Sequence, residues 1–309
     1  MQTPHWTVYL INNTHMEQKI QIVTHTDLDG VCSYLVMCWL YGRKLDVLGT
    51  TPRNLELDYK KLVESNKQWD RIYFLDLDVS KIGSLVDKPE TVILDHHKTN
   101  IFPYIHATTK IYNETSCAKL IYDTFFKKTR KTISNDQKTL IALADDWDSN
   151  SKRTPISEKL NIVYHSMSNK FNSFVEDYYD GFKPFDKFKE NTILLYKKRC
   201  KEYIDTLCPF FGIFEFEGHQ NVKVGSVVCD NFVQECCDFL FSKHDVDVAI
   251  AVLINQNRFA VRRNSNNSLI DVSKFVQRVA SGGGHEAAAG GNLTDDFIEF
   301  TKMLIPVKS

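Results

Sequence analysis

Four short apolar runs, KIQIVTH, LDVLGTT, RIYFLDLD and TVILDHH, are spaced along the first hundred residues, and three of them end in carboxylates or imidazoles. The helical patterns VCSYLVMCWLYGR and LELDYKKLVESNK separate the first run from the second and the second from the third. Strands alternating with helices build a parallel sheet covered on both faces, and ligands gather at the carboxyl ends of its strands. The first strand runs out into VTHTDLDG, where an extended chain would send His25, Asp27 and Asp29 to one side. Three such groups on one side repel or waste solvation unless something binds them.

After Asn113 the pattern turns helical, in ETSCAKLIYDTFFKK, NDQKTLIALADDWD and SEKLNIVYHSMSN. The amphipathic, lysine-rich FDKFKENTILLYKKRCKEYIDTL reads as a connector over residues 181–210. From about Phe211 short strands return, GIFEFE, VKVGSVV, VDVAIAVLI and RFAVRR, with the helix FVQECCDFLFSKH among them. The expected organisation is residues 1–180, a helical linker over 181–210, and a smaller α/β domain over 211–309. With 309 residues and 43% hydrophobic content, the length also suits about two domains.

Composition excludes some classes of function. Lys+Arg at 38 against Asp+Glu at 39 leaves a net charge of −1, so any contact with a polyanion must be local. The eight cysteines lack zinc-finger spacing and sit in apolar segments, as reduced core thiols do. Neither a leader nor a membrane span is evident, and the expected location is the cytoplasm.

Carboxylates and imidazoles on separate strand ends suit two divalent ions, because oxygen ligands favour hard metals and imidazole favours borderline ones such as Mn²⁺. Asp78, just before Ser80, reads instead as a cap, and Asp76 alone would read the same way. Gly30 reads as a turn residue or as a site of close helix packing. In SGGGHEAAAGG, glycines 282–284 can bring backbone N–H groups to an anion beside His285, or can simply turn the chain. Of Arg262 and Arg263, alternation lets only one face such a site.

The ordered set HTDLDG, FLDLD, LDHH, ALADDWD and GGGH spans residues 25 to 291 and resembles the five motifs of the DHH phosphoesterase superfamily carrying a DHHA1 substrate domain. HTDLDG and the aspartate–tryptophan pattern are most similar to its oligoribonuclease and cyclic-nucleotide phosphodiesterase branch. The resemblance implies an α/β fold, with a parallel-sheet DHH domain joined by a helical linker to a DHHA1 domain and the active site in the cleft between them. It implies His25 and Asp27 on one metal, Asp29 and His96 on the other, and Asp76 as the bridge. Asp145 is preferred over Asp146 and Asp148 to complete the second metal's shell. His97 would lie near the scissile phosphate, with Asp95 orienting an imidazole. Arg262, Gly282, Gly283, Gly284 and His285 would hold the substrate, and His97 or His285 would also act in catalysis by stabilising charge on the phosphoryl oxygens.

The activity so implied is stepwise hydrolysis of short oligonucleotides to nucleoside monophosphates by a hydroxide that two metals activate. Mn²⁺ is the expected cofactor, with Mg²⁺ or Co²⁺ as substitutes. The expected partners are short RNA or another small nucleotide and no membrane, and a homodimer is compatible with the sequence. The alternatives are hydrolysis of cyclic mono- or dinucleotides and, in a different class, a non-catalytic nucleotide sensor.

Overall fold

Alternation along the first strand sends Ile20 and Ile22 to one face of a sheet and Val23 to the other, and all three are buried. A strand with both faces covered belongs inside a parallel sheet, and β1 (Ile20–His25) takes that position. The computed structural model describes residues 18–65, 67–127, 131–149, 154–267, 269–280 and 282–295. The first 17 residues, Ser268 of NSNNS and Ser281 of the glycine stretch lie outside them.

The chain forms two units, divided between Ile193 and Leu194. In the first, β1 is followed by α1 (Leu28–Tyr41), β2 (Asp46–Thr50), α2 (Leu55–Glu64), β3 (Arg71–Leu75), β4 (Thr91–Asp95) and β5 (Thr108–Ile111). The five strands lie in the order β2-β1-β3-β4-β5, and every pair is parallel. The chain therefore reverses its direction of winding between β1 and β3, which opens a crevice at their carboxyl ends.

One face of the sheet, bearing Tyr73, Leu75, Val92 and Leu94, is covered by α1 and the later helices; the other, bearing Phe74 and Ile93, meets Leu55 and Tyr59 of α2. The later helices are α3 (Cys117–Phe125), α4 (Asn135–Asp148), α5 (Pro155–Ser166) and α6 (Lys170–Tyr178). Strand β5 and helix α6 were not anticipated from sequence. The β5 sequence TTKI is short, polar and half-exposed at the sheet edge, so it lacks the apolar run that marks the other strands. Helix α7 (Lys187–Ile204) contains the division between the units.

The second unit is a six-stranded mixed sheet in the order β10-β11-β9-β8-β7-β6. Its strands are β6 (Phe210–Phe216), β7 (His219–Val228), β8 (Val248–Leu253), β9 (Arg258–Arg263), β10 (Gly282–His285) and β11 (Ala288–Asn292). Helix α8 (Val233–His244) buries Cys236, Cys237 and Leu240 with Ala249 and Ala251, whereas α9 (Val272–Val279) buries Val272 and Val276 with Val248 and Val261. Neighbouring β8 residues point to opposite faces, so the two helices cover opposite sides of the sheet.

Candidate metal centre and its supporting residues

The turn after β1 is built by its own acids. Asp27 caps α1, its Oδ1 accepting the Gly30 N–H at 2.9 Å, and Thr24 Oγ donates to the Gly30 carbonyl at 2.9 Å. Gly30 has no room for a side chain: a Cβ there would lie 2.2 Å from the His25 carbonyl oxygen. Close backbone approach thus explains the glycine, and it brings His25, Asp27 and Asp29 together. Asp29 is buried at the N-terminus of α3, where the Cys117 and Ala118 amides donate to its two oxygens at 2.6 and 3.0 Å. A helix N-terminus favours negative charge there.

Two clusters meet at Asp76, which follows β3 in the left-handed backbone region at φ 55°. In the first, His25 Nδ1 lies 2.7 Å from Asp27 Oδ2 and 3.7 Å from Asp76 Oδ2. In the second, His96 Nε2 lies 3.0 Å from Asp76 Oδ1 and 3.9 Å from Asp29 Oδ2, while its Nδ1 lies 3.5 Å from Asp148 Oδ2. Ligand atoms of His25, Asp27 and Asp76 lie within 4.8 Å of one another, as do those of Asp29, His96 and Asp148. Among the described residues Asp76 Oδ2 is buried with no hydrogen-bond partner. An orphaned carboxylate oxygen in a buried position is costly unless a cation satisfies it, and the donor set of oxygens and imidazoles fits hard to borderline divalent ions.

The charges agree with this assignment. Burial alone would lower the His25 pKa, but Asp27 and Asp76 outweigh it and raise it to about 11. His96 rises likewise to about 11 against its burial, through Asp76, Asp148 and Asp29. Burial, then Asp76 and Asp148, push Asp29 well above the usual carboxylate range; burial also lifts Asp148 to about 7 despite His96. Without metal, protons on the two imidazoles balance the acids.

The fourth motif differs from expectation. The structure puts Asp148, not Asp145, against His96; Asp145 Oδ1 accepts the Ser116 N–H at 2.8 Å. Asp146 Oδ2 accepts from the Thr154 N–H and hydroxyl and from the Ser157 hydroxyl at the start of α5. Asp145 and Asp148 are three residues apart on α4 and share a face, so periodicity could not separate them.

Asp95 has a different task. Its Oδ1 accepts His97 Nδ1–H at 2.7 Å and the backbone N–H groups of His96 and His97, and Asn100 Nδ2 donates to Oδ2 at 2.8 Å. Ligand atoms of Asp76, Asp95 and His97 also lie close together, and the Asp95 oxygens accept from His96, His97 and Asn100. Burial would lower the His97 pKa, but Asp95 raises it. Tyr104 OH in turn donates to Asn100 Oδ1 at 2.7 Å. Sequence reasoning missed Asn100 and Tyr104, for which no charge or spacing signal exists. Asp78 is a local cap, accepting from the Ser80 N–H and hydroxyl.

In the second unit, GGGH is a strand rather than an open loop. Gly282 pairs with Gly291 and His285 with Ala288, and a Cβ on Gly282 or Gly284 would strike the backbone of β11 at 2.2 or 2.5 Å. A Cβ on Gly283 meets nothing within 4 Å. Arg262 Nε donates to Gln234 Oε1 of α8 at 3.1 Å, whereas Arg263 Nη1 donates to the Ile270 carbonyl at 2.9 Å. The two arginines therefore take opposite faces of β9.

Residues 19–144 match the DHH family, N-terminal domain. The chain is 23% identical over 308 residues to oligoribonuclease NrnB of Bacillus subtilis strain 168, covering 90% of this chain and 74% of that protein. It shares a fold with the pGpG-specific phosphodiesterase PggH of Vibrio cholerae: the TM-score is 0.53 at 14% identity, over 93% of this chain and 97% of that one. RecJ of Thermus thermophilus in complex with Mn²⁺ gives a TM-score of 0.53 at 12% identity, over 96% of this chain and 53% of that one. No helix among the described residues is long and apolar enough to cross a membrane.

Proposed function

Residues 19–144 match the DHH family, N-terminal domain, and from that match we propose that the chain is a metal-dependent phosphodiesterase that cuts short oligonucleotides stepwise to nucleoside monophosphates. The observation that carries this reading is the pair of clusters that meet at the buried Asp76 carboxylate, whose Oδ1 faces His96 and whose Oδ2, among the described residues, has no hydrogen-bond partner. His25, Asp27 and Asp76 would hold one divalent ion, and Asp29, His96 and Asp148 the other, Mn²⁺ foremost. Such a pair, when bound, acidifies water and neutralises charge on a phosphoryl group.

The chain's own residues supply orientation and protons. Asp95 fixes the His97 ring through Nδ1–H and raises its pKa, which leaves Nε2 to donate to a phosphoryl or leaving oxygen. Asn100 keeps Asp95 from turning, because it occupies the far oxygen. Arg262, Gly282, Gly283, Gly284 and His285 are assigned to the substrate's nucleotide, within a DHHA1-type domain over 211–309. Short substrates are favoured over long ones because a net charge of −1 gives the chain no overall excess of cations for a long polyanion. The names of two similar proteins point the same way, one an oligoribonuclease and the other specific for the dinucleotide pGpG. The free thiols, seven of the eight buried, support a cytoplasmic location.

The test is product analysis on a 5′-labelled RNA dimer and pentamer, a long single-stranded DNA, cyclic AMP and a cyclic dinucleotide. Each is run with Mn²⁺ and with chelator, for the wild type and for Asp95→Ala/His96→Ala. Mn²⁺-dependent release of mononucleotides from the short RNAs, lost in the double variant, is the expected result. Tight metal binding without turnover of any substrate would overturn it in favour of a non-catalytic sensor.

A further inference from the structure

Beside the β1 turn stands a small basic feature that the metal clusters do not use. Tyr164, fully buried on α5, donates its hydroxyl to the Thr26 carbonyl at 2.8 Å, next to Asp27. The Lys170 ammonium lies over the Tyr164 ring, 5.2 Å from its centroid, and the His165 ring meets the same ring edge-on at 5.2 Å. An aromatic face held in this way positions a cation without neutralising it.

The segment is fastened to the metal-bearing turn at a second point. Phe171 contacts Tyr34 with ring centroids 5.6 Å apart, and a Cβ added to Gly49 of β2 would lie between the Thr26 methyl at 2.9 Å and the Phe171 ring at 3.8 Å. His165 also feels the charge of Asp27 as well as that of Lys170, and burial followed by Lys170 lowers its pKa. At neutral pH it is thus an uncharged imidazole with one N–H to donate. Among the described residues neither Lys170 nor His165 is paired with a carboxylate, whereas Lys119, Lys159 and Lys189 of the same unit each have one. A lysine left unpaired beside so many acids is placed to receive an anion that arrives with the substrate.

We propose that Lys170 and His165 anchor a second phosphate group of the substrate, the one next to the scissile linkage. This rests on the phosphodiesterase reading and deepens it: the preferred substrates are short oligonucleotides that carry a phosphate adjacent to the linkage being cut. Lys170 supplies the charge and His165 a neutral donor, and Tyr164 sets their distance from the β1 turn. A bare dinucleoside monophosphate lacks the anchored group and binds less well.

The experiment uses the full chain with Mn²⁺ and two dinucleotide analogues whose bridging ester oxygen is replaced by methylene, pApA with its 5′-phosphate and ApA without it. Calorimetry gives the ratio of their affinities. The wild type is expected to bind the 5′-phosphorylated analogue about tenfold more tightly, the scale of one charge-assisted contact. In Lys170→Met the ratio falls towards one, in His165→Ala it falls part of the way, and in Lys170→Arg it returns. A ratio that Lys170→Met leaves at the wild-type value overturns the anchor, as does a wild type that binds both analogues equally or binds neither. Failure of the phosphodiesterase reading alone looks different: the affinity ratio and its loss in Lys170→Met persist, while the wild type shows no Mn²⁺-dependent cleavage of ordinary pApA.

Discussion

Replacing Gly30 with alanine tests whether the β1 turn fixes the metal geometry. The new methyl would sit 2.2 Å from the His25 carbonyl oxygen, 2.6 Å from its carbon and 3.0 Å from its Cα, all backbone atoms that no rotamer change can move. Ordinary contact needs about 1 Å more, so the turn or the first turn of α1 must shift by that much. His25, Asp27 and Asp29 ride on this segment, and metal sites tolerate ligand displacements of only about 0.2 Å. Mn²⁺ affinity should therefore fall at least about tenfold, and kcat on an RNA dimer about a hundredfold. Overpacking adds a destabilisation of about 1–3 kcal/mol, read as a fall in melting temperature of several degrees. Calorimetric Mn²⁺ titration, turnover and thermal scanning measure all three. A Gly30→Ala protein that keeps wild-type Mn²⁺ affinity and melting temperature would refute the argument that this close approach places the ligands.

Three further outcomes follow from the same geometry. Asp148→Asn should weaken Mn²⁺ binding about 10- to 100-fold while Asp145→Asn changes it less than about threefold, because only Asp148 faces His96; the reverse order in a metal titration would return the ligand role to Asp145. His25 and His96 have folded pKa values raised to about 11, so their contribution to the metal-free fold is complete below the unfolded value near 6.5 and is lost as pH rises through about 11. Melting temperature in chelator should accordingly fall between pH 7 and 10, and with Mn²⁺ it should fall less; parallel curves would contradict the proton-for-metal exchange. Asn100→Ala should lower kcat about 10- to 100-fold with little change in KM, because it frees Asp95 Oδ2 and lets the His97 ring turn; an unchanged kcat would remove Asn100 from the positioning of His97.

Much of the first unit was legible because its strands are buried on both faces and therefore read as continuous apolar runs. IQIV, IYFL and TVIL are such runs, and their acidic ends mark the carboxyl edge of the sheet. Strand β5 and helix α6 were not legible, since an edge strand and a surface helix need only part of one face to be apolar. The glycine run could be read for its permissiveness but not for its use. Gly282 and Gly284 allow β10 to lie against β11, and that pairing depends on a strand that follows them in the chain.

At the site, legibility follows the range of the interaction. His25, Asp27 and Asp29 lie within five residues, and Asp95, His96 and His97 are contiguous, so their convergence is local and spacing reveals it. The choice among Asp145, Asp146 and Asp148 is not local. It depends on which acid the N-termini of α3 and α5 capture: Ser116 takes Asp145, Thr154 and Ser157 take Asp146, and Asp148 is left to His96. Helix amides and hydroxyls compete with the metal centre for carboxylates, and the outcome is set by packing between elements that are 29, 8 and 11 residues from the acids they claim. The same holds for Tyr164 and Thr26, which are 138 residues apart yet join the α5–α6 segment to the turn that bears Asp27. What marks a candidate ligand is thus the imidazole it faces, as Asp27, Asp29 and Asp148 do, and not freedom from backbone donors, since Asp27 and Asp29 accept those as well.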